Sequence, residues 1–213
     1  MEADWAVEIG AGSPVIEALW TGFVDLQSSP QRIREIEEAQ RLPALAQTLL
    51  QINHPEAVQL SATPQMRSCF WTAKCDLWQP EDCDPFELDA TPEEAVVALA
   101  CYIDLLPRSD RLFANPVFAN PVFADPVFTD PVFTEWTVAE STARAIVHRL
   151  RTFSLICARA DLVVRAATAG PVEGFGITAY LTACGADLVA AQSNLAAALA
   201  VLVQALSTDR EQQ

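Results

Sequence analysis

Two stretches of the chain alternate apolar and polar residues in the same order. Residues 70–78 carry Phe70, Lys74, Asp76 and Leu77, and residues 155–163 carry Leu155, Arg159, Asp161 and Leu162 at the corresponding positions. Period-two alternation over such a length is the pattern of a strand with one face in a core. A second match follows each stretch: residues 97–103 align with 175–181, so that Tyr102 falls on Tyr180 with an apolar residue on either side of both. Each pair then gives way to a helical spacing, over 136–150 and from Asp187 to about Leu206. The pattern predicts two β-β-α units, an internal duplication within a single domain.

The remaining elements follow from punctuation. Short apolar runs at 5–9 and 15–20 flank Gly10, Gly12 and Pro14 and read as strands or a loose hairpin. Ser29 and Pro30 mark a helix start, and Pro43 separates a short first turn from a better helix over 43–52 with Leu45, Leu49 and Ile52 on one face. A short strand has room near 57–61. The connection over 79–94 holds seven carboxylates, Glu81 and Asp82 through Glu93 and Glu94, with no Lys or Arg; it lacks the glycine-turned spacing of a calcium loop and reads as solvated. Residues 170–174, Gly170 to Gly174, read as the connection of the second hairpin.

The expected fold class is therefore α+β, with a mixed or antiparallel sheet built from the two units and helices packed on one face. Its parts are N-terminal strands and loop (1–28), a helix with the first strand pair (29–106), an inserted loop (107–135), and a helix, second strand pair and C-terminal helix (136–206). Over residues 43–207 this order resembles the type III secretion chaperone-like fold, α-β-β-β-α-β-β-α. The resemblance implies a small, acidic, cytosolic and commonly dimeric protein that binds other proteins without doing chemistry. The loop at 107–135 departs from that pattern.

That loop repeats a five-residue unit, placing Phe113, Phe118, Phe123, Phe128 and Phe133 at equal intervals, with prolines at 116, 121, 126 and 131. On a helix successive phenylalanines would stand ~140° apart, and on a strand they would alternate faces, so neither regular structure collects them. The prolines also exclude a helix interior or a central strand. The five phenylalanines are expected either to pack on the body of the protein or to dock a partner.

Composition narrows the partners. Half of the 213 residues are hydrophobic (51%), enough for a substantial core, and 28 acidic against 13 basic residues leave a formal charge of -15. That charge repels phosphate backbones and anionic lipid, so neither nucleic acid nor a membrane is an expected partner. The first residues lack the basic end and apolar run of a signal peptide, and a cytoplasmic location is expected. Six cysteines in that setting are expected to be reduced and to pack as small hydrophobes. A zinc site from Cys69, Cys75, Cys83 and His54 lacks the paired spacing such sites use, and no metal or cofactor is expected.

On strands, Lys74 and Asp76 share one face, as do Arg159 and Asp161. If the two units share a sheet, these four groups converge with Tyr102, Asp104 and Tyr180 on a candidate polar face. Such a cluster could perform acid–base work or bind a small molecule, or it could consist of cross-strand pairs that set register. No serine or cysteine nucleophile stands with a histidine in a catalytic order, and no catalytic residue is expected. The leading expectation is a non-enzymatic protein-binding or assembly-assisting protein, a homodimer. A small enzyme or small-molecule binder using the polar face, and a structural subunit of a larger complex, are the alternatives.

Overall fold

The computed structural model describes residues 1–10, 14–18, 24–54, 67–68, 70–107 and 132–208. The elements are β1 (Glu2–Glu8), β2 (Ile16–Ala18), α1 (Glu37–Arg41), α2 (Pro43–Asn53), β3 (Arg67–Ser68), β4 (Phe70–Trp78), β5 (Val97–Pro107), α3 (Trp136–Leu150), β6 (Ala158–Ala169), β7 (Val172–Gly185), α4 (Leu188–Leu206) and β8 (Ser207–Thr208). The fold is α+β, with a mixed six-stranded sheet in the order β1-β6-β7-β5-β4 and β2 alongside β6. The four strands of the two hairpins run antiparallel, whereas β1 and β2 lie parallel to β6. The N-terminal strands therefore do not form the expected hairpin. Each takes a separate length of the β6 edge, β1 beside residues 159–165 and β2 beside 167–169. The expected strand near 57–61 lies outside the described residues.

The three longer helices cover one face. α2 packs on β4, α4 on β7 and β5, and α3 on β6 and β1. Between them and the sheet lies the main core, with Leu99, Cys101 and Ile103 from β5, Ile177 and Leu181 from β7, and Leu195, Leu199 and Leu202 from α4. Each such leucine contributes about 1.5–3 kcal/mol by leaving water. α4 has the length and mean hydropathy (1.6) to cross a membrane, and here one face of it, with Ala191, Leu195, Ala198, Leu199 and Leu202, is buried against the sheet and the neighbouring helices. Its start is set by Asp187, whose side chain accepts the Ala190 N–H at 2.8 Å, one of the donors a helix N-terminus leaves unpaired. The second hairpin closes more tightly than expected. Ala169 pairs with Val172, which leaves Gly170 and Pro171 as the whole turn. Gly170 takes φ +63°, and proline follows with its fixed negative φ, as a two-residue turn of the primed class requires.

β4 carries a bulge. Thr72 pairs with Leu105 and Cys75 with Ile103, so Ala73 and Lys74 together oppose Asp104. The extra residue switches the facing of the strand. Phe70, Cys75 and Leu77 turn to the helices, while Trp71 and Ala73 join a separate apolar cluster on the other face.

Both edges of the sheet are closed by side chains. On β4, the Thr72 N–H points away from β5 to Asn53 Oδ1 on α2 at 3.0 Å, and alternation across the bulge turns the Leu77 N–H outward as well, where Asp76 Oδ1 accepts it at 2.7 Å. On β1, Arg151 Nε donates to the outward Ala3 carbonyl at 2.8 Å, and the Trp5 N–H, two residues on and facing the same way, goes to Asp4 Oδ1 at 2.8 Å. An edge with unpaired N–H groups is a template for a foreign strand, and these contacts take up part of it on each side. The double substitution Asp4→Ala and Asp76→Ala is expected to form concentration-dependent oligomers larger than the wild-type species. Light scattering at increasing concentration checks this, and an unchanged mass would mean that the edges are protected by something else.

Candidate functional site

On the face opposite the helices, the strand alternation presents Asp76 from β4, Tyr102 and Asp104 from β5, Thr178 and Tyr180 from β7, Arg159, Asp161 and Arg165 from β6, and Asp4 and Glu8 from β1. The registers place five of these in one transverse row: Asp76 opposite Tyr102, Tyr102 opposite Tyr180, Tyr180 opposite Asp161, and Asp161 opposite Asp4. The first hairpin thus pairs Asp76 with Tyr102, and the second pairs Asp161 with Tyr180. The two tyrosines meet at the centre with their rings 5.8 Å apart, and the Trp78 ring extends the ladder 6.2 Å beyond Tyr102.

Apolar clusters close the two ends of this face. Ile16, Trp71, Leu106 and Val132 bury one end, and Leu88, Ala98, Cys157 and Cys184 the other, so the acidic connection, expected to be solvated, is anchored there by buried Leu88. Part of that connection, Pro85–Leu88, forms a 3-10 turn started by Asp84, which accepts the Phe86 N–H at 2.9 Å. Gly176 makes the first closure possible, because a Cβ there would lie 2.9 Å from Ile16 Cδ1 and 3.0 Å from Leu106 Cδ2. Between the two ends, Tyr102, Tyr180, Arg159 and Asp161 are half-buried, and Lys74, Asp76 and Trp78 are exposed.

The charged groups of this band differ in how far they are satisfied. Arg159 Nε reaches both carboxylate oxygens of Asp161 at 2.9 and 2.8 Å, and that carboxylate raises the arginine's pKa. Arg165 donates to Tyr180 Oη at 3.0 Å and to Glu8 Oε2 at 2.7 Å. Asp104 is buried, with 5% exposure, and accepts the Thr178 hydroxyl at 2.6 Å. Burial pushes its pKa up to about 6, against the opposing pull of the Thr178 bond and the charges of Arg165 and Lys74. Tyr102 is pushed up to about 12 by burial and by the carboxylates of Asp104 and Asp76, so it stays a neutral hydroxyl.

All seven residues of the expected polar face, Lys74, Asp76, Tyr102, Asp104, Arg159, Asp161 and Tyr180, therefore lie on one side of one sheet. The bulge separates Lys74 from Asp76: the lysine makes no ion pair with the described residues, unlike its counterpart Arg159. Arg165, Thr178, Trp78 and Asp4 were not anticipated. Arg165 and Thr178 could have been found by continuing the period-two count from Asp161 and Tyr180. Nothing local points to Asp4, which reaches the row only because β1 adds to the sheet in parallel. A cavity of about 300 Å³ opens elsewhere, between α1, α2 and the β4 bulge, lined by Leu26, Ile36, Leu49 and Cys75 with Glu37 and Glu38; it meets the polar face at the bulge, through Ala73 and Lys74.

Phe133 takes the first of its two expected roles. It bridges Phe175 by two backbone bonds of 2.9 Å and packs edge-on to Phe70 at 6.4 Å, so its half-buried ring rests on the body of the chain. Phe113, Phe118, Phe123 and Phe128 lie outside the described residues, as does Cys69. Among the described residues five cysteines are free thiols, and no group of three His, Cys, Asp or Glu side chains is placed to hold a metal ion. Burial pushes the Cys75 thiol up to about 12 and raises Cys101, which suits packing over reactivity. Comparison of the chain with protein-family models, with curated proteins and with solved structures gave no match.

Proposed function

We propose that this chain is a non-enzymatic protein-binding or assembly-assisting protein that docks its partner across the helix-free face of the sheet. The observation that carries this reading is the accessible aromatic ladder Trp78, Tyr102 and Tyr180 set among carboxylates and bounded at both ends by packed apolar clusters. Tyrosine and tryptophan on a rigid sheet bring large contact area at small entropic cost, as interface anchors do. The closed edges favour docking on the face over strand addition.

The arrangement supports catalysis less well. Arg159 and Asp161 satisfy one another, Arg165 is held by Tyr180 and Glu8, and Asp104 is held by Thr178. Thr178 gives its hydroxyl to the Asp104 carboxylate within the band, but both side chains are buried, out of reach of a substrate. The face bears six carboxylates, Glu2, Asp4, Glu8, Asp76, Asp104 and Asp161, against the three cations Lys74, Arg159 and Arg165. Such a face repels its own copy, so the homodimer that the chaperone-like element order implies would use another surface. In the same reading the two hairpins, with their matched Asp and Tyr pairs, descend from one duplicated unit, and the protein works in the cytoplasm.

Affinity capture from source lysate, run with the wild type and with a Trp78→Ala/Tyr102→Ala variant, tests the proposal. A defined partner is expected on the wild type at low salt, reduced about tenfold on the variant and weakened by about 0.5 M salt, where charge attraction is screened within a few ångströms. Equal recovery on both proteins would place the docking surface elsewhere.

A further inference from the structure

The two halves of the transverse row are built alike but filled differently. In the second hairpin, Asp161 receives the Arg159 guanidinium on both oxygens, and the Tyr180 hydroxyl receives Arg165. In the first hairpin the same Asp and Tyr pair stands opposite one another in the same register, with the Trp78 ring added beside Tyr102. Yet among the described residues no cation pairs with Asp76 or Tyr102. The residue that would correspond to Arg159 is Lys74, and the bulge carries it out of line to stand with Ala73 opposite Asp104. Asp76 spends Oδ1 on the Leu77 N–H, which fixes the carboxylate and leaves Oδ2 directed at no described donor.

We infer that the first half of the row is a receptor for an arginine side chain of the docked partner. The second hairpin shows which group this constellation takes. A guanidinium is planar, so it can lie on the Trp78 or Tyr102 ring while its fork meets the Asp76 carboxylate. The chain uses the same stacking contact elsewhere, with Arg144 Cζ 4.1 Å from the centroid of the Trp5 ring. The surplus of carboxylates on this face draws a cationic segment towards it, and Asp104, below Lys74, adds to the negative field when ionised. A lysine ammonium would gain the charge attraction but neither the stacking nor the two-pronged bond.

This inference rests on the reading of the face as a docking surface, and its test is separable from that one. The full chain, labelled with nitrogen-15, is titrated with the capped pentapeptide Arg-Gly-Arg-Gly-Arg and with its lysine counterpart. Binding of the arginine peptide is expected to be about tenfold tighter, with shifts concentrated at Asp76, Leu77, Trp78 and Tyr102. Asp76→Asn keeps the acceptor for the Leu77 N–H, and so the edge, but removes the charge; it is expected to weaken arginine binding about tenfold and to abolish the preference over lysine. Equal affinity for the two peptides, shifts centred elsewhere, or unchanged binding by Asp76→Asn would overturn the assignment. If lysate capture yields a partner lost by the Trp78→Ala/Tyr102→Ala variant while the peptides show no preference, the docking face stands and the arginine receptor falls.

Discussion

Asp104→Asn is expected to stabilise the protein at pH 8 by about 3 kcal/mol and to leave it little changed below pH 4. The carboxyl is buried, and its pKa rises from an ordinary 3.8 to about 6 in the folded chain. Between those values the folded state holds a proton that the unfolded state has released. Stability therefore falls as pH rises through that window, the reverse of the usual ion-paired aspartate, and the loss is complete above about pH 6. A shift of about two units at ~1.4 kcal/mol each sets the magnitude. Asparagine has the same shape, can still accept the Thr178 hydroxyl, and carries no charge to bury. Urea unfolding of both proteins from pH 4 to 8 isolates this one group from the many other carboxylates. A variant no more stable than the wild type at pH 8 would mean that the Arg165 and Lys74 charges already compensate the buried anion.

The second large effect is expected at Asn53. Its Nδ2 donates to the Leu49 carbonyl at 2.7 Å and to Thr72 Oγ1 at 2.6 Å, and its Oδ1 accepts the Thr72 N–H at 3.0 Å. Both residues are buried, with 7% and 8% exposure. Asn53→Ala strands the amide and hydroxyl of Thr72 at the edge of the sheet, one residue before the bulge. Each stranded group costs about 1–3 kcal/mol, so a loss of roughly 3 kcal/mol is expected, with faster amide exchange along β4. In a Thr72→Val background the cost of Asn53→Ala should fall by about 1 kcal/mol, because one of the stranded groups is already gone. A loss below about 1 kcal/mol in the single variant would show that water replaces the side chain.

Much of the polar face was legible because strand alternation is a local rule. Once 97–107, 158–169 and 172–185 are strands, the facing of Tyr102, Asp161 and Tyr180 follows from counting by two, whereas the bulge in 70–78 puts Asp76 on the face opposite Phe70, against that count. The hairpin connection and the helices of the second unit follow from Gly170, Pro171 and Asp187 in the same way. The length of β6 and β7 beyond the expected bounds was not legible, since Ala166 to Ala169 have no strong propensity and are strands because β2 and β7 pair with them. For Phe133 the repeat left two roles open, packing on the body or docking a partner, and only the contact with Phe70 and Phe175 places it in the fold.

The amino-acid sequence by itself determined the class of fold, the starts of α2 and α4, the facing of β5, β6 and β7 and the acidic character, because these depend on neighbours a few residues apart; at Ser29 and Pro30 it marked a 3-10 turn, with α1 beginning only at Glu37. Only the tertiary structure decided that β1 joins β6 in parallel, that a bulge takes Lys74 away from Asp76, that Asp4 and Asp76 each accept an outward N–H on opposite edges, and that burial raises the Asp104 pKa to about 6. Each of these depends on a partner far away in the chain, and the free energy of such a contact has no local signature. The difference between the Asp161 and Tyr180 pair, which meets two arginines, and the Asp76 and Tyr102 pair, which meets none among the described residues, arises there, in the register between strands.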